Sequence, residues 1–406
     1  MASSPKLAYL APEIPGLSST FVYNEIFALE DDGFEIDTFS VHRSGDFSGD
    51  AKLQAVADKT TYLYERGLVN ILKGNLAILV HNPLRYLSKL MMCLGDIISV
   101  INQPKLCAGV LYRFLVGGLL ADELKQKNIQ HLHIHFAHIT TDIGMYACAI
   151  ADINYSVTAH ANDIYERGWL LKQKIARSKF FATISNFNIK LLTEMGGDPN
   201  KLTIVRCGVN SKLFSSRPPK ARGKTVVFGL LGRLVEKKGT HILIDACAEL
   251  KKTHPNFVVQ IVGNGPLQEQ LEAQAAALGL TQEIQFLGAK PHSEIAGWLD
   301  NLDYFALPCV RDSQGDMDGI PVALMEAMLK GVPVISSDIS GVPELVIHNE
   351  TGLAAKNADA ADLTKILEQA MTESNDSLMV RVEKAKEHVM DEYDLTSNAK
   401  RLAQLF

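Results

Sequence analysis

The residue types best suited to chemistry fall in one stretch, Asp318-Gly319-Ile320-Pro321-Val322-Ala323-Leu324-Met325-Glu326-Ala327-Met328. It reads as a loop running into a helix. Gly319 supplies backbone freedom, and Pro321 suits the first helical position, where a missing N–H costs nothing. The apolar run from Val322 to Leu329 continues as a buried helix. The first amides of that helix, at Val322 and Ala323, have no intrahelical acceptor and sit at the positive end of the dipole, an arrangement that binds phosphate. Two carboxylates flank them, Asp318 before the helix and Glu326 about one turn in. Asp318 also reads as a helix-start acid and Glu326 as a solvated residue. Against that, an ionised carboxylate inside an apolar helix needs a partner.

The elements that position this stretch are strands and helices in alternation. Thr225 to Leu231 reads as a buried strand ending at Gly232-Arg233-Leu234-Val235-Glu236-Lys237-Lys238-Gly239, with a helix from Thr240. Cations and glycines between a strand and a helix N-terminus suit a diphosphate, Arg as a fork and Lys as a point charge. Phe257 to Val262 runs into Gly263-Asn264-Gly265-Pro266, and Gln268 stands where a dinucleotide fingerprint needs glycine, which argues against a nicotinamide cofactor. Tyr304 to Pro308 and Gly331 to Ser336 are the strands on either side of the central stretch.

Nearer the start, Lys6 to Ala11, a helix with Val22, Ile26 and Leu29 on one face, and Glu35 to Val41 open the chain β-α-β, the beginning of a doubly wound sheet. The Gly16 to Thr20 loop then falls at the carboxyl end of a strand, where such sheets bind ligands, and Thr20 also reads as a plain helix cap. Residues 62–127 read as helices rich in Leu, Ile, Val and Met, with Lys73, Arg85, Lys89, Lys105, Arg113, Lys125 and Lys127 among them and few acids. They suit either a helical insertion packed on the first domain or a surface that lies on an anionic membrane. His131, His133 and His135 share one face of a strand. A metal there needs further ligands to close a tetrahedron, and none is expected. Tyr155 to Ala159 is another strand, ending at His160-Ala161-Asn162-Asp163-Ile164-Tyr165.

Length and composition set bounds. A chain of 406 residues implies two or more domains, and 47% hydrophobic with 21% charged residues describes an ordinary globular protein. A net charge of −6 gives no reason to expect nucleic acid. Six scattered cysteines without a Cys-x-x-Cys pair indicate reduced thiols in a cytosol. No signal peptide or secure transmembrane run is expected.

An acid, seven residues and Glu326, followed by Ala327-Met328 and Lys330-Gly331-Val332-Pro333-Val334-Ile335, resemble the donor-site motif of family 4 glycosyltransferases. The first acid is usually Glu in that family and is Asp318 here. The resemblance extends over nearly the whole chain and is most specific in residues 226–353. It implies the α/β GT-B fold, two Rossmann-like doubly wound domains facing a cleft. Residues 1–213 would form the acceptor-side domain and 214–390 the donor-binding domain, joined by the Ser211–Lys224 linker, with 391–406 crossing back. It gives Arg233 and Lys238 the diphosphate, leaving Lys237 solvated. It gives Gly232, Gly263, Gly265, Leu287, Gly319, Ile320, Pro321, Val322, Ala323 and Glu326 donor-binding places, with Glu326 on the ribose. Asp318 would hold the sugar, and His160 would lie at its reacting face. Gly16, Ser18, Ser19, Thr20, His135 and His138 would face the acceptor. The implied reaction is transfer of a hexose from UDP- or GDP-hexose to a lipid-linked oligosaccharide or polysaccharide precursor, as in exopolysaccharide-type enzymes. No cofactor or metal is required, although Asp316-Met317-Asp318 spells an Asp-x-Asp metal motif. Stereochemistry would be retained. The enzyme would be cytoplasmic or peripheral on the inner face of the plasma membrane. A nucleotide-sugar epimerase of the same fold and a non-catalytic carbohydrate- or nucleotide-binding protein are the other readings.

Overall fold

The structure is a computed structural model and describes residues 6–16, 19–47, 49–214, 216 and 223–406. The chain divides into two compact units. The first comprises Met1–Arg206 with Thr396–Phe406, and the second is Cys207–Leu395. The break therefore falls a few residues before the expected linker. Val209 bridges to Asp394, accepting from the Leu395 amide at 3.1 Å and donating to Tyr393 O at 2.8 Å. Those bonds tie residues 207–210 to the second unit.

The first unit holds a seven-stranded sheet in the order β3-β2-β1-β4-β5-β6-β7. Its strands are β1 Leu7–Glu13, β2 Ile36–His42, β3 Thr61–Tyr62, β4 His131–His135, β5 Asn154–Ala159, β6 Phe181–Thr183 and β7 Leu202–Ile204. Neighbouring strands are parallel. Parallel pairing needs a crossover between strands, and the helices supply it. Thr20–Asp31 buries Val22, Ile26 and Leu29, the spacing of one helix face. Strand order reverses between β1 and β4, so the loops leaving those two strands meet at the topological switch point.

The 23-residue helix Pro104–Gln126 is long and apolar enough to cross a membrane. Instead it is the core helix of this unit. Val110, Phe114, Val116 and Leu120 are buried in one cluster with Ile143, Tyr146 and Ala147 of the Ile139–Ala151 helix. The final helix Leu395–Ala403 docks on the same unit, with Ala399 in one buried cluster with Leu7, Tyr9 and Val22.

The second unit holds a six-stranded sheet in the order β10-β9-β8-β11-β12-β13. Its strands are β8 Val226–Leu231, β9 Phe257–Val262, β10 Ile284–Phe286, β11 Tyr304–Ala306, β12 Val334–Ser337 and β13 Leu353–Ala355. Neighbours are again parallel. The reversal lies between β8 and β11, so the Gly232–Gly239 loop and the loop from Leu307 to Pro321 leave the sheet side by side.

Candidate active site

The loop after β8 is shaped by backbone approach. Gly239 has φ +66°, and a Cβ there would lie 1.8 Å from Pro308 O. Gly263 has φ +137°, and its Cβ would lie 1.9 Å from Gly232 O. Only glycine fits either place. Backbone bonds knit the loops together: Gly232 N to Val262 O at 3.0 Å, Leu234 N to Asn264 O at 2.9 Å, and Gly263 N to Gly288 O at 2.9 Å. Glu236 reaches the loop after β11, accepting from the Ser313 amide at 3.0 Å and its hydroxyl at 2.8 Å. Of the predicted donor-binding glycines, Gly263 thus lets two loops touch, and so does Gly265, whose Cβ would lie 2.3 Å from Leu234 O. Leu287 sits beside them, 39% exposed, with its amide bonded to Ile261 O at 2.8 Å.

Into this frame the two loops bring alternating charges. Lys238 Nζ lies 2.6 Å from Asp318 Oδ2, and Lys237 Nζ lies 2.7 Å from Asp316 Oδ2 and 3.7 Å from Asp318 Oδ1. Lys237 is therefore not the solvated residue expected. The short 3-10 turn Glu236–Lys238 directs both lysines at the acids. Burial alone would raise the Asp318 carboxyl, but Lys238 and then Lys237 outweigh it and hold it below its ordinary value. Burial likewise works against the Lys238 ammonium, and Asp318 nevertheless raises it. Both members of the pair stay charged. The Asp-x-Asp sequence does not present a bare acidic pair, since each acid faces a lysine. Arg233 is exposed, and its guanidinium makes no ion pair with a described residue.

The Val322–Leu329 helix begins one residue later than expected. Pro321 is its N-cap, with ψ 125°, and not its first helical residue. The amides of Val322 and Ala323 still lack intrahelical acceptors, and Leu324 N is the one that folds back, to Pro321 O at 3.1 Å. The Ser340 hydroxyl donates to Gly319 O at 2.9 Å and to Asp318 O, fixing the entry to the helix. Glu326 is buried, and its partner is His292, whose Nε2 lies 3.1 Å from Oε1. The bond to Glu326 raises the His292 ring above its ordinary value against partial burial.

The first unit gathers a different set of groups at its own switch point. His135 Nε2 meets Glu25 Oε1 at 3.0 Å, and Tyr9 also donates to that oxygen at 2.9 Å. His135 Nδ1 meets His160 Nε2 at 3.1 Å. With His135 Nε2–H donating to the Glu25 carboxylate, Nδ1 of that ring is left to accept from His160 Nε2–H. His160 is buried and neutral, its pKa driven well down by burial, then by His135 and His138. Asp163 clamps the loop, accepting from the amides of Ala137 at 2.7 Å, Ala161 at 2.9 Å and His160 at 3.1 Å. Glu25, His133 and His135 place potential ligand atoms within 4.8 Å of one another. Hydrogen bonds already account for them. His133 bonds Ser156 at 2.8 Å and Thr158 at 3.0 Å, while His135 bonds Glu25 and His160.

His138 is buried at the N-cap of the Ile139–Ala151 helix, and its Nδ1 has no partner among the described residues. Burial, with Lys174 next, pushes it down to about 3. Ser19, not Thr20, is the N-cap of the Thr20–Asp31 helix, and it makes no side-chain capping bond. Neither hydroxyl is spent on capping. A Cβ on Gly16 would meet the Ser19 Oγ at 2.1 Å, so the two stand in contact. Ser18 lies outside the described residues.

The fold is GT-B, two parallel doubly wound α/β units in one chain, with the lysine–carboxylate pairs of the second unit concentrated on its switch-point loops. The chain belongs to the family described as glycosyl transferases group 1, whose signature matches residues 212–388. It is 31% identical over 381 residues to the amylovoran biosynthesis glycosyltransferase AmsK of Erwinia amylovora, covering 89% of each chain. It is 28% identical to WcaL of Escherichia coli, named for colanic acid biosynthesis, over 98% of this chain and 99% of that one. Among solved structures, HepE of Anabaena in complex with UDP-glucose matches with a TM-score of 0.71 at 17% identity, covering 98% of both chains. A glycosyltransferase of Rickettsia africae matches with a TM-score of 0.71 at 16% identity, covering 98% of this chain and 97% of that one.

Proposed function

We propose that this glycosyltransferase moves a hexose from UDP- or GDP-hexose to a lipid-linked oligosaccharide or polysaccharide precursor of an exopolysaccharide, with retention at the anomeric carbon. The observation that carries this reading is the second unit's switch point. There Lys237, Lys238, Asp316 and Asp318 stand beside a helix N-terminus. The relatives named for amylovoran and colanic acid synthesis support the polymer class, and the complex of HepE with UDP-glucose supports the donor class. As the bond to the sugar breaks, charge grows on the departing diphosphate. Arg233, Lys238 and the Val322 and Ala323 amides stabilise it, Lys238 and the amides being held in place before the reaction begins. Asp318 holds hydroxyls of the sugar, Glu326 holds the ribose, and His160 serves the transfer step. With no carboxylate evident as a covalent nucleophile, substitution on the face of departure accounts for retention. The acceptor's lipid places the enzyme in the cytoplasm, working at the inner face of the plasma membrane.

A thermal-shift screen of nucleoside diphosphates and their sugars tests the donor. At about a hundred times its Kd the right one stabilises the fold by about 3 kcal/mol, and the absence of any shift across UDP, GDP and their hexose derivatives overturns the reading. Metal independence follows from the lysines, which already supply positive charge for a diphosphate. Transfer should survive EDTA, and loss restored by Mg²⁺ would show that the acids hold an ion.

A further inference from the structure

Two helices of the first unit, Gly67–His81 and Pro83–Ser99, follow one another with only Asn82 between them. Each buries one stripe, Ile71, Gly74, Asn75 and Ile78 on the first and Tyr86, Cys93 and Asp96 on the second. The outward stripes are apolar too. On the first helix Leu68, Leu72, Leu76 and Val80 recur every four residues, and Val80 is 70% exposed. On the second, Leu84, Leu87, Met91, Leu94 and Ile98 alternate spacings of three and four, and Leu84 is 82% exposed. A helix apolar on every side is normally covered on every side, and soluble surfaces leave such side chains singly rather than in rows.

Charge decides between the candidate covers. From Gly67 to Ala121 the chain carries a single acid, Asp96. That acid is buried, bound by Arg177 at 2.6 and 2.7 Å and by the Tyr146 hydroxyl at 2.8 Å. The basic residues Lys73, Arg85, Lys89 and Lys105 remain solvent-accessible; their acidic neighbours are Asp152, which faces Arg85, and Asp122 and Glu123 beside Lys73, of which Glu123 pairs with Arg66. This is a positive island on a chain whose net charge is −6. A second copy would set that island against itself, because a two-fold contact pairs one patch with its like. An anionic leaflet answers both features, since acyl chains accept the Leu, Ile and Met side chains while lipid phosphates meet the lysines.

We propose that the outer faces of these two helices form the surface by which the protein docks on an anionic phospholipid leaflet. The surface stands on exposure and charge alone and holds whichever donor and acceptor the enzyme uses. Flotation of the full chain with vesicles of phosphatidylcholine, with and without phosphatidylglycerol, tests it without reading transfer. Binding is expected to the anionic vesicles and to fall with salt. The variant Leu76→Gln/Leu84→Gln/Met91→Gln changes exposed positions only, so its melting curve should match the parent while its binding falls at least about ten-fold. The charge variant Lys73→Glu/Lys89→Glu should lose the preference for phosphatidylglycerol. Absence of flotation overturns the proposal, as does binding indifferent to lipid charge and salt. So does a dimer in solution that the apolar variant converts to monomer, which would make a second copy the occupant.

Discussion

At the residue scale, the ion pair between Lys238 and Asp318 changes what a substitution at Asp318 should do. A sugar-gripping acid alone would leave nucleoside diphosphate affinity untouched when replaced by Asn. Here the acid also neutralises Lys238 at 2.6 Å. Asp318→Asn leaves that part-buried ammonium without its partner, and a diphosphate restores the missing negative charge. The variant should therefore bind the diphosphate more tightly than the parent by calorimetry, while kcat falls by about 100-fold or more through loss of an oriented transition-state contact. Weaker diphosphate binding in the variant would mean that Asp318 does not compete for Lys238. Glu326→Gln should behave differently. The ribose does not react, so losing its partner removes nearly uniform binding and raises donor KM more than it lowers kcat. A kcat loss as large as that of Asp318→Asn would remove Glu326 from the ribose.

At the scale of elements, the loop after β8 exists because two glycines let backbones touch. Gly239→Ala would place a methyl 1.8 Å from Pro308 O at a residue with φ +66°. Backbone cannot move aside as a side chain can, so the variant should lose about 2 kcal/mol or more of stability, read from denaturant midpoints at constant m-value. An unchanged midpoint would show that the loop is free to re-form. The alternation of strands and helices was legible because buried strands between periodic helices allow little else, but β3 and β13, two and three residues long, were too short to read. The glycine-rich turns were legible for the same local reason. Partners distant in sequence were not. Glu326 plainly needed a counterpart, but His292 is 34 positions away and nothing in its neighbourhood marks it. Glu25 stands 110 positions from His135. Lys237, read from the sequence as solvated, pairs with Asp316 because one tight turn decides where both lysines point. The helices from Gly67 to Ser99 read as apolar whether covered or bare, since periodicity reports which residues are apolar and not what lies against them.

At the scale of the whole molecule, the two units carry opposite responses to acid. In the first, His131, His133, His138 and His160 are buried and neutral, all with pKa values lowered mainly by burial, His131 and His138 to about 3. Unfolding restores each to about 6.5. Below that pH the unfolded chain takes up protons that the folded unit refuses, so each ring removes up to about 1.4 kcal/mol of stability per pH unit until its folded pKa is reached. Asp163 and Glu123, raised by burial, act in the other direction, but only as the pH nears the carboxylate range. In the second unit, Asp318 is held below its usual 3.8 and Lys238 above its usual 10.5. The contribution of Asp318 is present above 3.8 and lost only as pH falls through its lowered folded value, and that of Lys238 persists throughout acid. His292, raised by Glu326, gains its stabilising contribution as pH falls through its raised value and keeps it in full below 6.5. The first unit should accordingly unfold at higher pH than the second. The chain's two tryptophans report them separately, because Trp169 lies in the first unit and Trp298 in the second. With Trp298→Phe, the remaining Trp169 fluorescence should change between about pH 6 and 4. With Trp169→Phe, the Trp298 signal should hold until below about pH 4. Coincident transitions, or an earlier loss at Trp298, would show that the buried histidines do not govern the acid stability of this protein.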